Sequence, residues 1–132
     1  MARKKSKYPT ELELEILKIL WERAPRTVRE VREAMAEGGR ALAHTSLITT
    51  LNVMYEKGFV RRSKATEGRG YTFSPKHSKE EVSQGMVGDL VDRVFGGSAS
   101  AMMLSLLENE QLDAADHEAL RKAINKFRKD RS

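Results

Sequence analysis

Three short helical segments followed at once by a basic hairpin, all before Pro75, form the pattern that most restricts what this chain can fold into. The first segment opens at Thr10 with Glu13 three residues on. In this arrangement the hydroxyl and the carboxylate each satisfy a backbone amide at a helix start. Leu14, Leu17 and Trp21, with Ile16 and Leu20 beside them, recur at the helical period and predict a wide buried face. Pro25 breaks that helix. Thr27 with Glu30 repeats the start signal, and Val28, Val31 and Met35 face inward until "EGGR" at 37–40 ends the second helix.

The stretch "TSLITTLNVMYEKGFVRR", residues 45–62, carries the third helix and the start of the hairpin. Leu47, Leu51 and Met54 point into a core, while Thr45, Thr49 and Asn52 repeat the same spacing on another face, with Ser46 alongside. Threonine is a mediocre helix former, so propensity does not explain this polar stripe. Gly58 closes the helix. "FVRRSK" and "YTFS" then read as two short strands joined by "ATEGRG", a hairpin carrying Arg61, Arg62, Lys64 and Arg69. The order is that of a winged helix-turn-helix. The expected fold class is therefore mainly α with a small β-hairpin wing, followed by a C-terminal helical dimerisation module.

In a winged helix the third helix lies in the DNA major groove and its outward side chains meet base edges. Asn52 suits an adenine edge, and threonine methyls pack on thymine methyls. Thr45 and Ser46, near the helix start, reach either bases or phosphates. The expected base-reading set is Thr45, Ser46, Thr49 and Asn52; the backbone and wing set is His44, Arg61, Arg62, Lys64 and Arg69. On an isolated helix such a stripe is ordinary wet surface, and wing charges also serve to block strand pairing. The basic hairpin directly after the stripe favours the DNA reading. Charge agrees: residues 1–79 hold 17 Lys and Arg against 9 Asp and Glu, whereas residues 80–132 hold 7 against 10. An arm with Arg3, Lys4, Lys5 and Lys7 either wraps DNA or aids solubility.

Residues 1–78 are thus expected to form the winged-helix domain with its basic arm, and residues 79–132 a helical dimerisation module. Val82, Met86, Leu90 and Val94 make one apolar stripe before "FGGS" interrupts the chain. "ASAMMLSLLENE" is apolar almost all round, and Asp113 can cap a last helix bearing Leu120, Ile124 and Phe127. Three short helices of about 50 residues bury too little to stand alone. Pairing with the same segment of a second chain, through these residues together with Met103 and Leu107, explains their apolar surface.

Other chemistries find no support. Without cysteine there is no disulfide, thiolate zinc site or thiol nucleophile. His44, His77 and His117 stand isolated, and no metalloprotease, nucleophile-elbow or phosphate-loop motif occurs. No catalytic residue, metal or cofactor is expected. No apolar run reaches the ~20 residues of a membrane span, and the basic start "MARKKSKYP" lacks the apolar segment of a secretory signal. A cytoplasmic, non-enzymatic protein is expected, with no membrane insertion.

With these residues in view, the chain resembles the penicillinase-repressor (BlaI/MecI) family. The likeness runs from "LELEILKILWE" at 12–22 through "TVREVREAM", "TSLITTLNVMYEKGFVRR" ahead of "GRGYTFSP", "VDRVFGG" and "LENEQLDAADHEALRKAINK" to "KAINKFRK". The resemblance implies a homodimeric transcriptional repressor on an inverted-repeat operator of double-stranded DNA. It also implies a membrane sensor-protease pathway that cuts the C-terminal module at a bond matching Ser105–Leu106. Cleaved members carry Asn-Phe there, and family positions bearing Lys or Arg in the recognition helix are here Thr45, Ile48 and Val53. Two readings stand beside it: a winged helix that binds a protein partner, and a low-specificity nucleoid-type DNA binder.

Overall fold

The computed structural model describes residues 8–66, 68, 70–109 and 112–131. The basic arm and Arg69 lie outside them. The elements run α1 (Glu11–Glu22), β1 (Arg26–Thr27), α2 (Val28–Glu37), α3 (His44–Lys57), β2 (Val60–Lys64), β3 (Tyr71–Pro75), α4 (Lys79–Val94), α5 (Ala99–Glu108) and α6 (Ala114–Arg131). The chain divides into two compact units, Met1–Met86 and Val87–Ser132, with the division inside α4.

In the first unit both predicted capping boxes form. The Thr10 amide donates to Glu13 Oε1 at 2.8 Å and the Glu13 amide to Thr10 Oγ1 at 3.2 Å. Thr27 and Glu30 repeat the exchange, each bond at 3.1 Å. The helices they start, together with α3, close a core of Ile16, Leu17 and Leu20 from α1, Val31 and Met35 from α2, and Leu47, Leu51 and Met54 from α3; Phe59, Val60 and Phe73 complete it. The buried stripe of α1 centres on Ile16, Leu17 and Leu20, and Leu14 and Trp21 sit at its margin, half-buried. Trp21 uses that position to donate its indole N–H to the His77 carbonyl at 3.0 Å, tying α1 to the segment before α4.

Glu13 has a second partner that the sequence pattern did not show. Lys57 Nζ lies 3.1 Å from both of its carboxylate oxygens, with the two side chains 12% and 4% exposed. The start of α1 is thereby joined to the end of α3 by an ion pair held out of water. Immediately beyond, Gly58 takes φ +84, a left-handed conformation that side-chain-bearing residues rarely adopt. It turns the chain so that the Phe59 amide bonds the Met54 carbonyl at 2.9 Å and Val60 enters the wing.

The sheet is antiparallel in the order β1-β3-β2. Its third strand, β1, pairs Arg26 with Phe73 and Thr27 with Thr72. The sequence around Pro25 reads only as a helix break, because two residues are too few for an alternating pattern. Thr27 serves twice, ending the strand and capping α2.

In the second unit Ser98 Oγ accepts from the Ala101 amide at 3.1 Å and starts α5. Asp113 accepts from the Asp116 amide at 2.8 Å, and Asp116 returns the bond at 3.2 Å, starting α6. None of residues 87–109 and 112–130 is buried. Met103, Leu104, Leu107, Leu112, Leu120 and Ile124 line an open apolar groove of about 710 Å³. No single helix among the described residues is long and apolar enough to cross a membrane.

Candidate nucleic-acid interface

The two faces of α3 separate as the spacing requires. Leu47, Leu51 and Met54 are fully buried, while Thr45, Ser46 and Thr49 are exposed together on the first two turns. His44 is the first helical residue, and it too is exposed. Unlike α1 and α2, α3 starts without a side-chain cap, its N-cap being Ala43. Its leading amides therefore keep the capacity to hold an anion.

Thr49 donates its hydroxyl proton to the Thr45 carbonyl at 2.9 Å, as Thr50 does to Ser46. This back-bonding, common for threonine inside helices, consumes the donor. Thr49 retains its methyl group and an acceptor oxygen for any contact outside the helix.

Asn52 lies half-buried a turn further on, beside the wing. Strand alternation sends the adjacent arginines of β2 to opposite faces. Arg61 is exposed and pairs in register with Ser74; Arg62 is half-buried and pairs with Phe73. The Arg62 guanidinium carbon sits 4.0 Å from the centre of the Tyr55 ring and 4.8 Å from that of Tyr71, and its Nη1 donates to Asn52 Oδ1 at 3.3 Å. Lys64 is exposed at the end of β2, opposite Tyr71. Among the described residues no carboxylate pairs with Arg61 or Lys64.

Tyr55 and Tyr71 are the site residues that sequence reasoning missed. Tyr55 stands three positions after Asn52, so helical spacing alone places them as neighbours. Tyr71 needed the hairpin register, which the six-residue connection leaves open.

The residues expected to pair two chains are distributed over both units. Val82 and Met86 belong to the first and are half-buried. In the second, Met103, Leu107, Leu120 and Ile124 line the groove, and Leu90, Val94 and Phe127 are exposed. Ser105 and Leu106 are both exposed within α5, three and two residues before its last residue, Glu108. Among the described residues no three His, Asp or Glu side chains converge as a metal site would require.

Three helices, a small antiparallel sheet and a basic wing beside the third helix define a winged-helix protein of the DNA-binding class. Comparison with known proteins narrows the class. Residues 9–126 match the penicillinase repressor family. The chain is 33% identical over 116 residues to the transcriptional regulator BlaI of two Mycobacterium tuberculosis strains, CDC 1551 / Oshkosh and ATCC 25618 / H37Rv, covering 86% of this chain and 80% of theirs. It is 24% identical over 107 residues to the penicillinase repressor of Bacillus licheniformis, covering 81% of each chain. The chain belongs to the penicillinase repressor family of transcriptional regulators.

Proposed function

We propose that this protein is a sequence-specific transcriptional repressor that binds an inverted-repeat operator as a homodimer in the cytoplasm. The observation that carries the reading is the juxtaposition of an exposed Thr/Ser face on α3, with half-buried Asn52 a turn further on, and the exposed cations Arg61 and Lys64 on the wing. Thr45, Ser46, Thr49 and Asn52 read bases, the uncapped start of α3 with His44 takes a phosphate, and Arg61 and Lys64 hold the backbone. The relatives named as a transcriptional regulator and a penicillinase repressor support the same role.

Residues 79–132 supply the pairing. Their apolar surface, uncovered within one chain, is what a second copy would bury. Two modules held about one helical turn, ~34 Å, apart engage two half-sites at once. That linkage raises affinity steeply without new contacts. Anything that separates the C-terminal modules, cleavage at Ser105–Leu106 included, ends repression through the same loss.

The test is binding of the purified protein to genomic fragments, its own upstream region among them, across salt concentrations. Tight, selective binding to an inverted repeat with a steep salt dependence is expected. Binding that ignores sequence would replace this reading with that of a nucleoid-type binder, and absence of binding with that of a protein-interaction module.

A further inference from the structure

The two adjacent wing arginines occupy different surroundings, and the difference assigns them different work. Arg61 projects from the outer face of β2, exposed. Arg62 points the other way, stacked between Tyr55 of α3 and Tyr71 of β3, with one guanidinium N–H on the Asn52 side-chain oxygen. We propose that Arg62 is not a phosphate clamp but a positioning residue, which sets the orientation of Asn52 for base recognition by locking the wing to α3.

A phosphate contact needs a cation that can turn into solvent. Holding Arg62 away from its rings would forfeit two cation–π contacts, which gain strength as the cation is shielded from water. The planar guanidinium suits this place because it stacks and donates at once, and an ammonium cannot do both. The four residues come from three separate elements: Asn52 and Tyr55 from α3, Arg62 from β2 and Tyr71 from β3. One side chain thereby couples the helix that reads bases to both strands of the wing.

The consequence falls on Asn52. Its Oδ1 already accepts from Arg62, which fixes the sense of the amide and leaves the Nδ2 donors for an acceptor on a base edge, such as a purine N7. Pairing with adenine in the two-bond manner remains open through the second lone pair of Oδ1. Without Arg62 the amide is free to flip and to turn, and discrimination at the base it faces falls. Overall attraction to DNA does not.

This inference rests on the DNA-binding reading, and the experiment separates the two. Binding of the full-length protein to its operator duplex and to a scrambled duplex is measured against salt for the unmodified chain, Arg61→Ala, Arg62→Ala, Arg62→Lys, Tyr55→Leu, Tyr55→Phe, Asn52→Ala and the Asn52→Ala/Arg62→Ala pair. NMR of the arginine Nε–Hε resonances in the free protein reports ring-current shifts on Arg62, and thermal midpoints establish that each variant is folded. Arg61→Ala is expected to lower the salt slope by about one. Arg62→Ala, Arg62→Lys and Tyr55→Leu are each expected to lower the preference for operator about tenfold, with the slope unchanged. Tyr55→Phe keeps the preference, and the double variant is no worse than Asn52→Ala alone, because Arg62 acts through Asn52.

A slope lowered by Arg62→Ala together with full rescue by Arg62→Lys would overturn the positioning role and make Arg62 a phosphate contact. Additive losses in the double variant would overturn the route through Asn52. If the unmodified chain itself shows no preference for any operator, the DNA reading fails, and the role in base recognition falls with it even where the ring-current shift is present.

Discussion

The two compact units are both rich in apolar side chains and differ in what covers them. In Met1–Met86 eleven such residues close a core, and Ile16, Leu47, Leu51 and Met54 are wholly removed from water. In Val87–Ser132 the corresponding side chains lie open, with Val94 and Phe127 each 65% exposed. At roughly 25 cal/mol per Å² of apolar surface removed from water, the first unit gathers its stabilisation within one chain. The second has that gain still to make. Periodicity reveals which residues seek burial but is silent about which chain provides it, and the self-pairing proposed above is an answer to that difference.

The sharpest way to break the comparison attacks the buried ion pair of the first unit. Lys57→Met leaves the Glu13 carboxylate out of water with its cation removed, and should cost about 3 kcal/mol in urea unfolding. Adding Glu13→Gln should recover much of that loss, because the uncompensated charge goes too. A negligible effect of Lys57→Met would mean that the first unit is held by its apolar core alone.

In the second unit a comparable lesion should act on association instead. Phe127→Asp places a charge on the proposed pairing face of both copies, since a two-fold interface repeats every change. Self-association measured by sedimentation equilibrium should weaken about a hundredfold, while the unfolding midpoint of the first unit stays where it was. Unchanged association would remove Phe127 from the interface. A fall in the first unit's stability would erase the distinction between the units.

What could be seen in the sequence divides along the same line. Both capping boxes, the helix-closing Gly58, the hairpin and the inward-facing residues of α3 were legible, because each depends on contacts within a few residues or on one periodic face. The Lys57–Glu13 pair, the two-residue strand β1 and the stacking of Arg62 on Tyr55 and Tyr71 were not. The first two join stretches far apart in sequence, and the strand and the stacking depend on a strand register that composition does not set. Arg61 and Arg62 look interchangeable as letters. Only the alternation of β2, once its pairing is known, sends them to opposite faces.

The smallest expected effect compares the carboxylates at the two units' helix surfaces. Glu30 is held below the usual glutamate range first by the backbone amide of Thr27, then by the Arg23 guanidinium, 3.0 Å away. Glu118 in the second unit is lowered as well, by Arg121 on the next turn of an exposed helix face. A carboxyl whose folded-state affinity for protons is reduced stabilises the fold above its unfolded value, and that contribution disappears as the pH falls through the lowered folded value. Glu30→Gln keeps an acceptor for the Thr27 amide and removes only the charge. The first unit's thermal midpoint should then decline less steeply on the acid side of the glutamate range than in the unmodified chain, at fixed protein concentration. Glu118→Gln should leave that decline unaltered, because its partner lies on the same solvated helix surface, where such pairs contribute little. Equal flattening by both substitutions would show that acid acts through general surface charge, not through the helix start that Thr27 and Glu30 build.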